Sequence, residues 1–269
     1  MIGARKLAAF IGFLIQRRYL IYELVKRDLT VNYAGSWLGI LWNFLHPAAL
    51  VFIYWFIFSF GLKVKPRSDL PFLVWLVAGI SIWFTFRDIV IGSTKLITGN
   101  ANLVKKIVFP YHVLPVIKLF SALFYHAFFL CILLFLIWLH DLPFRLLILQ
   151  FVYFYACMSF LALGIGLITA SMNVFLRDTS QFVSIIVQFC FWGTPIFWDI
   201  GIMPPQIQKL LVLNPIYYFV QGYRDSFLNF VPAWHHPVLA LSFWGISVVM
   251  FSIGVLVFRR LKNHFAEVI

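Results

Sequence analysis

Charged residues are scarce in this sequence. Asp, Glu, Lys and Arg make up only 11% of its 269 residues, whereas hydrophobic residues make up 63%. A soluble domain is about half apolar and about a quarter charged. The composition therefore excludes an ordinary soluble protein and predicts an all-α integral membrane protein. At roughly 20 residues a span, the length allows about six spans but leaves no room for a soluble catalytic domain.

Acidic residues are the scarcest of the charged groups. There are nine Asp and Glu against 21 Lys and Arg, which gives a net charge of +12. In a membrane protein this excess indicates basic inner loops rather than binding of nucleic acid. Asp88, beside Arg87, is the only acid within a predicted span, which argues against an ion-driven carrier. This pair is either a structural ion pair, within itself or between spans, or a gating contact.

Several chemical motifs are missing from the sequence. There is no Gly-x-x-x-x-Gly-Lys-Ser/Thr phosphate loop, so energy from ATP would have to come from another subunit. The three cysteines all lie in apolar runs, which argues against a disulfide framework. No His/Cys cluster has the spacing of a metal site. We therefore expect a chain that is not an enzyme and that holds no metal or cofactor.

Long apolar runs predict six transmembrane helices. The predicted spans cover 37–62, about 70 to beyond Asp88, 114–139, 146–172, 182–198 and 238–258. In the fourth span, Gly164 and Gly166 would permit close approach of another helix. With this topology the inner segments carry thirteen basic residues and the outer segments six. The positive-inside bias then predicts that both termini are cytoplasmic.

The first 36 residues predict a helix at the membrane surface. From Tyr19 to Val31 one stripe is apolar and the rest is mostly polar. The stripe comprises Ile21, Leu24, Val25 and Leu29. A basic amphipathic helix of this kind lies in the inner membrane interface. Its candidate residues for contacting lipid or a lipid-linked pyrophosphate are Arg17, Arg18, Lys26 and Arg27.

A polar interruption at residues 93–118 contains a short amphipathic helix from Asn102 to Phe109. Its apolar face comprises Leu103, Val104, Ile107 and Val108, and its polar face comprises Asn102, Lys105 and Lys106. Pro110 ends it, because proline disfavours helix at the preceding residue. On physical grounds this helix is either a docking element for another subunit or a surface loop whose lysines face lipid phosphate.

The connection before the last span, residues 199–237, predicts two short half-inserted helices on the outer side. Asn214-Pro215 has the pattern of a helix N-cap followed by proline in the first helical position. Broken helices at membrane depth are tolerated where they pack in protein or line a water-filled path. These helices are therefore candidates for part of a transport pathway.

Aromatic residues are abundant, with 32 Phe, 11 Tyr and 10 Trp. Their flat apolar faces and polar edges suit the faces and rims of sugar rings. The candidate wall of a glycan pathway comprises Trp42, Tyr54, Phe191, Trp192, Phe197, Tyr217 and Tyr218. For each residue the alternative is packing or an interfacial belt. Asn43 and His46 would bond either sugar hydroxyls or another helix.

Three segments, 26–47, 100–115 and 173–216, resemble the ABC-2-type permeases that export bacterial polysaccharides. The resemblance implies a single transmembrane domain over 1–269, with an interface region at 1–36, spans within 37–258 and a cytoplasmic tail at 259–269. It further implies a homodimer in the bacterial inner membrane that moves an O-antigen-like, lipid-linked polysaccharide. Two separate ATP-binding cassette subunits would hold ATP and Mg.

In this family the segment at 100–115 couples the membrane subunit to the ATPase. The residues that the resemblance assigns to coupling are Asn102, Leu103, Lys105, Lys106, Ile107 and Phe109. Two other functions remain open. One is an ABC-2 exporter of drugs or small lipids, and the other is a membrane-embedded transferase that uses His46 or His126.

Overall fold

The structure is a computed structural model that describes residue 12 and residues 16–31, 35–64, 70–101 and 114–268. Within these ranges the chain forms helices and no strand, which confirms the predicted all-α class. The helices are numbered in chain order: α1 Arg18–Val31, α2 Trp42–Phe56, α3 Phe72–Gly99, α4 Leu114–Leu139, α5 Phe151–Phe175, α6 Thr179–Gly193, α7 Pro205–Val212, α8 Pro215–Arg224, α9 Pro237–Leu261 and α10 Phe265–Val268.

Five stretches of the described residues are helical, long and apolar enough to cross a bilayer. They are Gly39–Gly61, Phe72–Gly99, Pro115–Leu139, Leu146–Phe175 and Pro237–His264, and they coincide with five of the six predicted spans. In place of the predicted span at 182–198 the chain forms α6, a helix of 15 residues. At 1.5 Å per residue α6 is about 22 Å long, shorter than the ~30 Å hydrocarbon core. A sixth crossing therefore stays a prediction.

Helix α3 lies at the centre of the chain. In its most apolar part 78% of the residues are buried, against 6% in the span around α2. Apolar side chains that point in different directions from α3 are fully buried, as in Leu76, Val77 and Ile82, and α3 contacts α4, α5, α6 and α8. A helix that is apolar all round is a core helix. The span around α2, in contrast, leaves most of its apolar surface open to lipid or to another subunit.

Helices α5 and α9 cross at two glycines. A Cβ added to Gly164 would lie 2.7 Å from the backbone nitrogen of Phe251, and one added to Gly254 would lie 2.5 Å from the carbonyl oxygen of Gly164. A Cβ on Gly166 would lie 2.8 Å from the side chain of Ser93 in α3. The absence of side chains lets these backbones approach, which confirms the prediction for Gly164 and Gly166.

The amphipathic character predicted for the first helix is confirmed in α1. Ile21 and Leu29 are each 8% exposed, and Leu24 and Val25 pack half-buried beside them. Helix α1 rests on α4. The basic residues named as lipid contacts are all exposed, either on α1 or directly before it: Arg17, Arg18, Lys26 and Arg27.

Candidate functional site

The predicted coupling segment joins the end of α3, at Gly99, to the start of α4, at Leu114. We call this end of the two helices the coupling end. The residues assigned to coupling lie outside the described ranges: Asn102, Leu103, Lys105, Lys106, Ile107 and Phe109. Their role therefore stays a prediction, but the helices that a coupling segment would move are described.

Three helices meet at an ion cluster near the coupling end. The Nζ atom of Lys118 in α4 lies 3.1 Å from Oδ2 of Asp28 in α1 and 3.1 Å from Oδ2 of Asp88 in α3. The Lys118 side chain is only 8% exposed, and it fills the space beside Gly92, where an added Cβ would lie 2.8 Å from Nζ. The side chains of Asp28 and Asp88 are less buried, at 23% and 40% exposure, so solvent screens part of the attraction. The two ion pairs connect α1 to α3 and α4.

The two members of the Arg87–Asp88 pair have different surroundings, and a gating role for either one stays a prediction. Asp88 forms an ion pair between spans, with Lys118. Arg87 is exposed, and within the described residues it has no ion pair. The adjacent charges therefore do not neutralise each other through a direct contact.

A polar cleft of about 210 Å³ opens beside the ion cluster, between the first three spans. Polar side chains from all three helices line it: Asn43, His46, Thr85, Arg87, Asp88 and Tyr125. The Asn43 amide is 2% exposed, and its Nδ2 donates to the carbonyl oxygen of Leu29 at 2.8 Å. The cleft is thus joined to the last turn of α1.

At the opposite end of the bundle the helical path stops after α6. The buried, non-helical residues 194–197 follow, and we call them the break. The predicted N-cap is confirmed: Oδ1 of Asn214 accepts from the backbone N–H of Ile216 at 3.0 Å, and Pro215 occupies the first turn of α8. The Asn214 Nδ2 also donates to Oγ1 of Thr194 at 3.0 Å. The start of α8 is therefore fixed to the non-helical residues that follow α6.

Arg224, at the end of α8, supplies hydrogen-bond donors to the backbone carbonyls of this break. Its two terminal nitrogens donate to the carbonyl oxygens of Pro195 at 2.8 Å and Ile196 at 2.7 Å. Its guanidinium carbon lies 3.4 Å from the centroid of the Trp75 ring in α3, in space left by Gly79, where an added Cβ would meet it. Residues 194–197 are buried but not helical, so their carbonyls need such a donor.

The turn after α8 is held by Asp225. Its Oδ1 accepts from Nε2 of Gln221 at 2.9 Å and from Nδ2 of Asn229 at 2.8 Å. Burial raises the pKa of this carboxyl, and the two hydrogen bonds oppose that shift. The two buried neighbours therefore have different partners. Arg224 bonds the residues that follow α6, whereas Asp225 bonds side chains one turn before and one turn after it.

Four of the seven candidate pathway aromatics form one cluster. Tyr54 lies 4.8 Å from Phe197 and 5.7 Å from Phe191 between ring centroids, and Trp192 lies 5.5 Å from Phe197. Phe191 and Phe197 are buried, whereas Trp192 is 51% exposed. The cluster brings span one against the break, and Trp192 presents its ring at the surface.

The other three aromatics lie elsewhere. Tyr217 and Tyr218 are buried in α8, at 7% and 4% exposure, and the Tyr218 hydroxyl bonds that of Tyr153 at 2.9 Å. Trp42 is 40% exposed at the start of α2, where its Nε1 donates to Oγ of Ser36 at 3.0 Å. A pathway role for the seven residues stays a prediction.

The two histidines considered for transferase chemistry have different surroundings. His126 is fully buried, with Nδ1 at 2.9 Å from Oγ1 of Thr85 and Nε2 at 2.7 Å from the Tyr223 hydroxyl. The Thr85 hydroxyl already donates to the carbonyl oxygen of Ser81, so it accepts from Nδ1. Both ring nitrogens are therefore occupied, and His126 serves as a link between α3, α4 and α8. His46 is exposed at the cleft.

Lys118 and Arg224 are the two central residues that sequence reasoning missed. By sequence alone Lys118 lies at the end of a predicted span, and Arg224 is one of the six basic residues of the predicted outer segments. The sequence does contain one signal for Arg224: it is a single arginine in a helix rich in aromatic residues. An isolated cation in apolar surroundings needs hydrogen-bond partners, so a structural role could have been expected. The partners themselves lie 28 and 29 residues away along the chain.

Comparison with known proteins places the chain among transporters. A family described as ABC-2 type transporter matches residues 19–228. The chain is 28% identical over 263 residues to the O-antigen export system permease protein RfbA of Klebsiella pneumoniae, which covers 93% of this chain and 95% of that protein. It is 24% identical over 251 residues to the polysialic acid transport protein KpsM of Escherichia coli, covering 92% and 95% respectively.

A third similar protein is an O-antigen export system permease protein RfbA of Myxococcus xanthus, 28% identical over 265 residues, with 94% of this chain and 96% of that protein covered. The family match includes α1 and extends through the coupling segment and the break to α8. The chain belongs to the ABC-2 type transporter family.

Proposed function

We propose that this chain is the membrane-spanning permease subunit of an ATP-driven exporter of lipid-linked polysaccharide. The observation that carries the proposal is similarity over nearly the whole length of both chains to proteins named for O-antigen export and polysialic acid transport. The spans and the absence of a phosphate-binding loop fit a subunit that forms the path while another subunit hydrolyses ATP.

In the proposed assembly two copies of the chain form a homodimer in the bacterial inner membrane, with both termini cytoplasmic. Six crossings would be completed by α6 together with the buried, non-helical residues 194–197. The exposed apolar face of the first span is available for the second copy or for lipid. Among the candidate wall residues, Trp42 and Trp192 are the most exposed rings, so they are the first to contact a sugar chain.

Two ATP-binding cassette subunits would dock at the coupling end and move the segment from Asn102 to Phe109. Because the Asp28–Lys118–Asp88 cluster joins α1, α3 and α4, a displacement of this segment would carry the three helices together. The exposed bases of α1 would draw the anionic lipid anchor to the same surface. At the opposite end, Arg224 would hold α8 to residues 195 and 196 and to Trp75 in α3 while the bundle moves.

Deletion of the gene in its source bacterium tests this proposal. The proposed function predicts loss of surface glycan, with lipid-linked glycan accumulating on the cytoplasmic side, and restoration of both by the intact gene. Normal glycan display with increased sensitivity to small apolar toxins would instead favour an exporter of drugs or small lipids, which the family match alone also accommodates. A missing sugar or acyl modification on correctly displayed glycan would favour a transferase.

A further inference from the structure

A large apolar groove lies beside α1 and shares no lining residue with the polar cleft. It has a volume of about 640 Å³, within the roughly 300–1,000 Å³ of sites that hold a drug-sized ligand. Its apolar lining comes from α1, from the start of the first span and from α4: Ile21, Val25, Leu29, Ile40, Phe120 and Phe124. We call it the α1–α4 groove. Its size and lining suit an apolar ligand.

Several apolar side chains of the α1–α4 groove remain open to the surroundings. Phe120 and Phe124 are 48% and 47% exposed, and Ile40 is 38% exposed. Side chains beside an unfilled space have no dispersion contacts on that side, so an apolar group that entered the groove would be stabilised. Lipid tails are as apolar as leucine, and in a bilayer they are the nearest apolar material.

The groove follows α4 from the coupling end into the membrane span. The candidate span in α4 begins at Pro115, so Phe120 and Phe124 lie about 8 and 14 Å along the helix from its start, at 1.5 Å per residue. The hydrocarbon core of a bilayer is about 30 Å thick, so both residues lie in the half of the span next to the coupling end. Their depth matches that of the acyl chain of a lipid in one leaflet.

Two basic side chains, Arg18 and Lys26, line the same groove. Both are exposed, and no ion pair to either one occurs among the described residues. They are eight residues apart, about 12 Å along α1, and no acidic residue in the described part of the chain lines the groove. Basic pockets of this kind beside membrane helices bind anionic lipid headgroups. The groove therefore suits a molecule with an apolar tail and a negatively charged head.

The remaining lining favours a compact headgroup over a sugar chain. None of the seven candidate pathway aromatics lines the groove, and its only uncharged polar side chains in the described residues are Tyr22 and Thr30. The Thr30 hydroxyl donates to the backbone carbonyl oxygen of Lys26 at 2.9 Å, within its own helix. A glycan needs many hydrogen-bond partners along its length, which this lining does not offer. A phospholipid needs only an apolar seat and a cation.

We propose that the α1–α4 groove binds one anionic phospholipid. Its acyl chain packs against Phe120 and Phe124, and Arg18 and Lys26 bind its headgroup phosphate. The lipid adds a contact between α1 and α4 to the ion pair that Asp28 makes with Lys118, so anionic lipid holds α1 on the bundle. This inference does not depend on which molecule the chain transports.

Photo-crosslinking of lipid to the full chain tests the proposal. The chain is placed in phosphatidylcholine nanodiscs with a small amount of phosphatidylglycerol that carries a diazirine in its acyl chain, and labelled peptides are identified by mass spectrometry. The label should attach to residues 18–30 and 120–124. Phosphatidylcholine with the same diazirine chain should label them about tenfold less, because its headgroup has no net charge for the two bases. Equal labelling by the two lipids, or labelling confined to other parts of the chain, would overturn the proposal.

A pair of double variants tests the two bases. Arg18→Gln with Lys26→Gln should lower labelling by phosphatidylglycerol to the level of phosphatidylcholine. Arg259→Gln with Arg260→Gln removes the same charge from exposed positions outside the groove and should leave the preference unchanged. Equal losses in the two double variants would show a general attraction of the basic surface for anionic lipid and would contradict a specific site.

A second pair of variants tests the apolar seat without changing any charge. Ile40→Trp places a larger side chain in the groove and should lower labelling severalfold, whereas Ile253→Trp, at an exposed position in α9 that is 43% exposed, should not. Thermal unfolding checks that each variant folds, and phosphatidylglycerol should raise the Tm of the unchanged chain more than that of the Arg18 and Lys26 double variant. Undiminished labelling of a folded Ile40→Trp protein would contradict the seat.

Competition separates a phospholipid from the lipid-linked substrate, which also has an apolar tail and a phosphate. A prenyl-diphosphate monosaccharide, added in an amount equal to the labelled phosphatidylglycerol, should leave labelling of the groove unchanged. Displacement of the phospholipid by this probe would show that the groove holds the anchor of the substrate, and the proposal would be wrong.

Discussion

The guanidinium of Arg224 stacks on the indole ring of Trp75, with 3.4 Å between the guanidinium carbon and the ring centroid. The same guanidinium donates to two carbonyls of the non-helical residues after α6. One side chain thus connects three parts of the fold: the central helix, the break and the end of α8.

Arg224→Gln should destabilise the chain strongly. It removes two hydrogen bonds from a charged donor, each worth about 1.5–3 kcal/mol, and leaves buried carbonyls without a partner. We expect a loss of about 3 kcal/mol or more in unfolding free energy, measured by denaturant unfolding in detergent, together with loss of export. Arg145→Gln is the matched control, because the exposed Arg145 side chain lies 4.8 Å from the Phe230 ring and has no side-chain hydrogen bond or ion pair within the described residues, so its loss should cost about 0.5–1 kcal/mol. Equal losses in the two variants would contradict the role given to Arg224.

Gly92→Ala should disrupt the ion cluster without changing any charge. The added Cβ would collide with the end of the Lys118 side chain, and we expect the shift of this side chain to weaken at least one of its two carboxylate contacts. Overpacking of this kind typically costs about 1–3 kcal/mol, and transport should fall further if α1, α3 and α4 move as a unit. Thermal unfolding and export of the variant are the measurements.

Gly245→Ala serves as its control, since nothing lies within 4 Å of a Cβ added there. It should leave stability equal or slightly higher, because alanine favours helix more than glycine does. A Gly92→Ala protein that is as stable and as active as Gly245→Ala would show that Lys118 adjusts freely.

Gly254→Leu should separate α5 from α9. A Cβ at this position already lies 2.5 Å from the carbonyl oxygen of Gly164, so a larger side chain cannot be accommodated without moving a backbone. We expect failure to fold or a loss of several degrees in Tm, whereas Gly245→Leu in the same helix should be tolerated. Comparable folding yields for both variants would exclude close packing of the two helices.

The sequence predicted local features of the fold well. The span at Leu114–Leu139 has the predicted bounds, and Asn214 caps its helix as its Asn-Pro pattern indicated. Hydrophobic runs and caps depend on neighbours in the chain, so they can be derived from short windows. The end of α6 could not be derived in this way. An apolar run continues to Trp198, but Gly193 and Pro195 end the helix, and Arg224 stabilises the non-helical carbonyls that follow.

Contacts between distant residues were the features that could not be predicted. Lys118 binds an aspartate 90 residues earlier in the chain, and His126 bonds a tyrosine 97 residues later. No pattern in the sequence specifies which buried charge meets which partner. The candidate aromatics show the same limit, because Phe197 and Trp192 have similar surroundings in the sequence yet one is buried and the other exposed.

The coupling hypothesis predicts that Lys105→Glu with Lys106→Glu separates ATP hydrolysis from transport. The decisive measurement reconstitutes the chain in vesicles, alone and with its ATPase subunit, and follows both ATP hydrolysis and movement of lipid-linked glycan. The chain alone should do neither, both subunits together should do both, and the double-glutamate variant should insert normally but transport little. Hydrolysis of ATP by the chain alone, or undiminished transport by the double variant, would contradict a membrane subunit moved by a separate ATPase through this segment.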